Sequence, residues 1–297
     1  MSQWRRVPIL ILGFNRPTNL RAVLSQSVLN EFEKVIVSID GPRAENPEDL
    51  KANHQIRKDV EKTNFESRFS SVNLGSRAVT SAITSVLQEF PNIIVIEDDL
   101  LFSPKSLRFV AEKIIKLDTH IATAGGYSPK ILPSNSRLGN SWRESKYFCP
   151  WLWGTNQKIW SKYRQEINSN DLAQLVQSQT WNSLSPSKQA KWLLRFIWCV
   201  NNPNLTWDYQ MQFMIFRESL ANIRPWKSLV TNGGFNDQGQ RTHHPPIWNA
   251  KAYVDSISDN RSPQWNKFSN LIDSLTFAAD NEILDSNIHN LLRKIYK

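Results

Sequence analysis

Three carboxylates in succession, Glu97, Asp98 and Asp99, follow directly on the apolar run Ile93-Ile94-Val95-Ile96. Adjacent like charges at the end of a buried strand are costly, because each raises the pKa of its neighbours. A divalent cation removes the conflict. Carboxylate oxygens suit Mg2+ or Mn2+, which take one or two such groups and complete their shell with phosphate oxygens and water. A cation there would offset the charge that develops on a departing diphosphate. A plainer reading stays open: the three carboxylates face solvent and complement the positive end of a helix that opens at Ser103.

Two further strand ends carry polar chemistry. Asp40 follows Val35-Ile36-Val37-Ser38-Ile39 and can accept hydrogen bonds from a base or a ribose. Asn15 and Arg16 follow the apolar run at residues 7–12, and Arg77 lies early in the helix that precedes the carboxylate strand. Arginines so placed can meet phosphate with paired donors. Taken singly, Asp40 reads equally well as a turn residue and the arginines as surface charges.

The elements that must position these groups are legible from periodicity. Continuous apolar runs at 7–12, 35–39 and 93–96 have the length and composition of strands buried on both faces. Pro17 opens a helix carrying Leu20, Val23, Leu24 and Val28 inward, and residues 43–62 read as helix and loop. Leu74, Ala78, Ala82, Ile83, Val86, Leu87 and Phe90 mark a longer helix that Pro91 stops. Ser103-Pro104 caps and opens another. Strand and helix alternate, which predicts an α/β fold with a mostly parallel central sheet flanked by helices. In such sheets ligands bind beyond the carboxyl ends of the strands, where Asn15, Arg16, Asp40 and the three carboxylates fall.

The second half differs in character. Eleven of the 12 tryptophans lie between Trp142 and Trp265, against Trp4 alone in the first hundred residues. A strand entering a helix is expected over 147–163, with further helices at 188–200 and 207–220. After Pro245-Pro246 the chain turns polar, and a last amphipathic helix places Ile283, Leu284, Ile288, Leu291, Leu292 and Ile295 near one face beside Arg293, Lys294 and Lys297. Docking on the core or on a membrane surface are its two readings. The expected division is a unit at 1–245, with halves at 1–120 and 121–245, and a helical extension at 246–297.

The composition is globular: of 297 residues, 40% are hydrophobic and 21% charged, outside the disordered range. Thirty-six Lys and Arg against 27 Asp and Glu give a net charge of +9. That balance favours anionic partners such as nucleotide diphosphates or a membrane surface. No zinc-finger or RNP motif and no basic run is present, so nucleic acid is not an expected partner. Cys149 and Cys199 lie far apart among apolar residues, which argues against a disulfide framework and fits a reducing compartment. Without a leader-like or membrane-spanning segment, the expectation is a cytoplasmic protein, peripheral at the inner membrane if the basic terminal helix engages it.

Ile-Leu-Gly-Phe-Asn-Arg-Pro at 11–17, Val-Ser-Ile-Asp-Gly-Pro at 37–42 and Val-Ile-Glu-Asp-Asp-Leu at 95–100 together resemble GT-A glycosyltransferases related to N-acetylglucosaminyltransferase I, including bacterial relatives. The similarity runs over roughly residues 7–245. It implies a Rossmann-like nucleotide-sugar-binding fold in which Glu97-Asp98-Asp99 is the Asp-x-Asp element, Asp99 binding the metal and Asp98 approaching the ribose. Asp40 corresponds to the acid contacting uracil, and Asn15 and Arg16 to the end of the first strand beside the nucleotide.

The resemblance continues at 149–155, Cys-Pro-Trp-Leu-Trp-Gly-Thr, which corresponds to the wall of the acceptor site. Thr-Trp-Asp-Tyr-Gln at 206–210 corresponds to the segment bearing the base. The animal enzymes read Trp-Asp-Asp-Trp there, so Tyr209 stands where their second aspartate stands and the catalytic role passes to Asp208. An inverting transfer needs such a carboxylate opposite the leaving diphosphate, to remove the acceptor hydroxyl's proton. A first-turn helix carboxylate beside a core Trp207 is the other reading. Residues 229–237 resemble the loop that closes over bound donor, with Gly233 and Gly234 supplying its freedom. His243 or His244 corresponds to a C-terminal metal ligand, adjacent histidines facing solvent being the rival reading. Trp151, Trp153 and Trp207 are placed near substrate, where flat indoles pack on sugar rings.

These features imply a metal-dependent, inverting glycosyltransferase that moves a hexosyl or N-acetylhexosaminyl group from a UDP-sugar to a glycan or lipid-linked acceptor. A non-catalytic carbohydrate-binding or assembly protein on the same fold is a second reading. A sugar nucleotidyltransferase is a third, although the first strand is followed only by Gly13 and Arg16 rather than a glycine-rich triphosphate loop.

Overall fold

The computed structural model describes residues 2–129, 141–234 and 269–274. The strands are β1 (Ile9–Gly13), β2 (Val35–Ile39), β3 (Glu66–Phe69), β4 (Asn92–Glu97), β5 (Leu100–Phe102), β6 (Ile121–Gly125), β7 (Trp142–Ser145), β8 (Trp153–Asn156), β9 (Ala221–Pro225) and β10 (Val230–Asn232). The helices are α1 (Pro17–Leu24), α2 (Pro47–Glu61), α3 (Ser76–Glu89), α4 (Pro104–Ile115), α5 (Gln157–Trp160), α6 (Ser169–Gln177), α7 (Gln179–Asn182), α8 (Pro186–Asn201) and α9 (Asp208–Arg217).

Eight strands form one sheet in the order β3-β2-β1-β4-β8-β6-β9-β7, and β5 pairs with β10 in a separate two-stranded ribbon. β1 pairs in parallel with both β2 and β4, and β2 with β3. β8 runs antiparallel between β4 and β6, and β7 antiparallel to β9 on the edge. Six of the eight strands therefore point the same way, as the alternation of strand and helix predicts. The chain winds outward from β1 to β3 and returns to place β4 against β1. The seam between β1 and β4 is thus the point where the winding reverses, the place where such sheets open a ligand crevice.

The alternation of side chains across each strand divides the core in two. Ile9, Ile11, Val37, Ile94 and Ile96 join Leu20, Val23, Leu107, Val110 and Ile114 from α1 and α4. Leu10, Leu12, Ile36, Ile93 and Val95 join Ala82, Ile83, Val86 and Leu87 of α3 and Met211, Met214 and Ile215 of α9. A third cluster, Trp181, Trp192, Phe196, Phe213 and Phe216 among others, packs α6, α7 and α8 against the far side of α9. Buried apolar side chains of this size each contribute about 1.5–3 kcal/mol. α9 is consequently buried all round, and Gln212 reaches the backbone at Phe148 N (2.7 Å) and Lys146 O (2.9 Å).

Residues 269–274 are helical and are held on β7 by a buried ion pair, Arg143 Nη1 to Asp273 Oδ1 at 2.7 Å, with both side chains more than nine-tenths buried. Asp273 also accepts from the Ser145 hydroxyl at 2.8 Å and Lys146 N at 3.0 Å. Removing one member strands the other charge in the interior, so Asp273→Ala is expected to cost about 3–5 kcal/mol. The midpoint of urea unfolding reads this directly, and an unchanged midpoint would show that the segment contributes nothing to stability. The amphipathic stretch expected at 283–295 lies outside the described residues. No described helix is long and apolar enough to cross a membrane.

Candidate functional site

The carboxylates lie at the tip of β4, beside the end of β1. Arg16, just beyond β1, donates from Nη1 to Asp99 Oδ2 at 2.8 Å and lies 3.6 Å from Asp98 Oδ1. Phe14 N donates to Asp98 Oδ2 at 3.4 Å. Burial, followed by the charge of Asp99, pushes Asp98 from the usual 3.8 to about 7, with Arg16 and Phe14 N opposing. Glu97 is raised further, by burial first and then by the charges of Asp99, Asp98 and Asp208. Burial also raises Asp99, against the pull of Arg16.

Among the described residues one cation, Arg16, thus faces the three carboxylates, paired with Asp99 and near Asp98. The site remains under-neutralised. A carboxyl group held protonated by the fold contributes stability that is complete below its unfolded pKa and lost as pH rises through its folded pKa. For Asp98 that window runs from 3.8 to about 7. In chelator, Asp98→Asn is therefore expected to gain thermal stability over the parent chain progressively between those pH values. A melting difference independent of pH would contradict this electrostatic picture.

Asp99 Oδ1 is buried and has no hydrogen-bond partner among the described residues. An orphaned carboxylate oxygen beside a second carboxylate fits a hard divalent cation. Among the described residues no group of three or more His, Cys, Asp or Glu side chains is arranged to hold a metal. Two carboxylates with phosphate and water completing the shell is the arrangement Mg2+ uses in nucleotide sites, so the residues present fit such an ion.

Asp99 is gripped from behind by the ribbon of β5 and β10. Gly233 N donates to its carbonyl oxygen at 2.8 Å, and Gly234 N to Asn232 Oδ1 at 2.6 Å. A Cβ on Gly234 would lie 2.2 Å from Asp99 Oδ2 and 2.9 Å from its Cγ, so no side chain fits without moving the carboxylate. Gly234→Ala is expected to weaken metal-dependent nucleotide binding by about 10–100-fold, as changes that misorient a ligand do. Calorimetric titration checks this, and unchanged affinity would mean that Asp99 is not held for a ligand. Of the glycine loop expected at 229–237, residues 235–237 lie outside the described residues, as does His243.

Asp208 opens α9, and its charge reaches Glu97 as well as Tyr163 and Cys199, whose thiol is pushed up to about 12 chiefly by burial. The Thr206 hydroxyl donates to Asp208 Oδ1. The approach to Asp208 is tied down: Gln165 Nε2 donates to Thr206 O at 3.0 Å, Gln210 Nε2 to Pro203 O at 3.1 Å, and Ser76 Oγ to Asn204 O at 2.7 Å. Arg77 belongs to this scaffold, donating to Asn204 Oδ1 at 2.6 Å and pairing with Glu166 at 3.2 Å. It is spent on fixing the loop before Asp208, not placed among the carboxylates.

Asp40 is engaged by the protein's own donors, in keeping with its reading as a turn residue. It is buried, and its oxygens accept from Gly41 N (2.9 Å), Leu74 N (2.9 Å), Gly75 N (3.0 Å) and Asn73 Nδ2 (2.9 Å). Leu74 and the N-cap Gly75 immediately precede α3, so Asp40 fixes the chain where it enters that helix. Burial raises its pKa despite the three backbone amides. Asn15 donates to Asp49 Oδ1 at 2.8 Å, and Asp49 in turn binds Arg43. Asp49 and Asn53, which ties Asp40 O at 2.7 Å, carry no sequence signal beyond their helical positions.

The tryptophans divide. Trp153 is wholly buried, stacked on Trp207 at 5.6 Å between centroids and edge-on to Phe148 at 5.0 Å. Trp207 is likewise buried. Both are core residues supporting the Asp208 segment, because their indoles fill the space between β8 and α9. Trp151 is half-buried and meets Tyr127 edge-on at 4.5 Å. Its neighbour Leu152 is buried with φ of 51°, a left-handed conformation costly for a side chain of this type.

No family profile matches the chain, and no curated protein matches it. Solved structures do. A mannosyltransferase from Pyrobaculum calidifontis in complex with GDP-Man and Mn2+ matches at 11% identity and a TM-score of 0.34, over 52% of this chain and 45% of that one. GalNAc-T7 with UDP, GalNAc and Mn2+ matches at 11% identity and 0.46, over 84% and 46%. A nucleotidyl transferase from Methanothermobacter matches at 7% identity and 0.43, over 74% and 87%. The chain thus spans less than half of the length of the two sugar transferases.

Proposed function

We propose that the chain is a metal-dependent GT-A glycosyltransferase, moving a sugar from a UDP-sugar to a glycan or lipid-linked acceptor with inversion. The observation that carries this reading is the orphaned, buried Asp99 Oδ1 beside Asp98, at the seam where the sheet's winding reverses and within electrostatic reach of Asp208. Asp99 and Asp98 would hold Mn2+ or Mg2+, which when bound offsets the charge on the leaving diphosphate. Arg16 supplies a second cation at the same edge. Glu97 precedes Asp98 and Asp99 in the chain, its pKa raised by burial first and then by the charges of Asp99, Asp98 and Asp208.

Asp208 takes the proton of the acceptor hydroxyl as its oxygen bonds to the anomeric carbon and the bond to the diphosphate breaks. Thr206 orients that carboxylate through its hydrogen bond. Gly233 and Gly234 fix Asp99 at the root of a segment that closes on donor. The transferase unit is residues 1–245, its donor half at 1–120 and acceptor half at 121–245 sharing one sheet, with 246–297 an extension. Trp151 is the aromatic retained for the acceptor side, since Trp153 and Trp207 are enclosed.

A thermal-shift screen of nucleotide-sugars with and without Mn2+ tests the donor assignment, since a ligand that binds only the native state raises the melting point by mass action. UDP-sugars are expected to raise it only with the cation. An equal response to nucleoside triphosphates with sugar phosphates would favour nucleotidyl transfer instead.

A further inference from the structure

α8 buries Trp192, Phe196 and Cys199 against α9, yet its opposite face is apolar too. Leu194 is 69% exposed, Ile197 45%, Trp198 42% and Leu193 37%. At a helical repeat of 3.6 residues, positions 193, 194, 197 and 198 share one outward stripe. A water-facing stripe of this kind is the feature that marks an interaction surface on an otherwise globular protein.

The charge along the segment is one-sided. No Asp or Glu occurs between Asp171 and Asp208, whereas Lys191 and Arg195 fall along one flank of α8, beside Lys188, which is tied to Ser274 at 2.8 Å. Arg195 lies over the rings of Trp192 and Tyr209, at 4.9 and 5.3 Å from their centroids. Exposed leucine and isoleucine, a half-exposed tryptophan and a border of cations form the pattern of a helix that rests in the headgroup layer of an anionic bilayer. A protein partner would be met as readily by an acidic or mixed border. The absence of any acid along this stretch favours lipid phosphate.

We propose that the outward face of α8 docks this protein on anionic membrane surfaces. Trp198 also contacts Tyr209, next to Asp208, at 6.4 Å between ring centroids, so the docked face adjoins the segment that carries the candidate base. The surface stands on its own exposure and charge, and does not depend on which reaction Asp208 serves.

The test is flotation of the full chain with vesicles of phosphatidylglycerol and phosphatidylcholine in equal parts, and with phosphatidylcholine alone. The chain is expected to float with the anionic vesicles and less with the neutral ones. The double variant Leu194→Glu, Ile197→Glu, whose side chains are exposed and whose melting point should match the parent's, is expected to bind at least about tenfold more weakly. Lys191→Ala is expected to lose about fivefold on anionic vesicles and nothing on neutral ones. Failure of the parent chain to float, or equal flotation of the double variant, overturns the proposal. Concentration-dependent dimerisation abolished by the same double variant, without vesicle binding, would overturn it by assigning the face to a second copy of the chain.

Discussion

Asp208→Asn is expected to lower turnover by about 10²–10⁴-fold, the contribution of a positioned general base, while leaving nucleotide affinity within about twofold. The amide has the shape of the carboxylate and can still accept from Thr206, so the loop before α9 keeps its anchors at Gln165, Gln210 and Ser76. Only the charge is lost. That charge also raises Glu97, so removing it relieves repulsion in the carboxylate cluster and the variant should be no less stable than its parent. Steady-state rates beside nucleotide titrations separate the alternatives. A fall in affinity with turnover unchanged would make Asp208 a binding residue instead of the base.

Asp99→Asn is expected to behave in two opposed ways. Metal-dependent binding of UDP should fall by more than the ~10–100-fold that changes behind a metal ligand cost, because this substitution removes the proposed ligand itself. Stability without metal should rise, since burial raises Asp99 and one guanidinium serves both it and Asp98. Sites that are strained for function show this exchange of stability for activity. A variant that is destabilised and still binds UDP with the cation would mean that Asp99 holds the fold together through Arg16 and nothing more.

The parts of this architecture written in local pattern are those that the sequence makes plain. β1, β2 and β4 are continuous apolar runs buried on both faces, and the polar residues Asn15, Arg16, Asp40 and Glu97 to Asp99 fall at their carboxyl ends as composition alone predicts. β8 is a partial case: a strand entering a helix is expected over 147–163 and forms there, but the strand is confined to Trp153–Asn156, where β4 and β6 offer antiparallel edges on either side. That Leu74 and Gly75, distant in sequence, donate their amides to Asp40 has no local signal. Arg77 was legible as an exposed helix cation but not as the clamp on Asn204. Burial of Trp153 depends on α9 crossing it, a tertiary fact without a local signal. Adjacent carboxylates at a strand tip, by contrast, carry their electrostatic conflict in the sequence itself.

The most direct measurement is calorimetric titration of UDP into the parent chain and Asp99→Asn, each in Mn2+ and in chelator. A single binding event seen only with the parent chain in Mn2+ is the expected result. UDP binding that is equal in chelator, or equal in the variant, would contradict a cation held at the tip of β4.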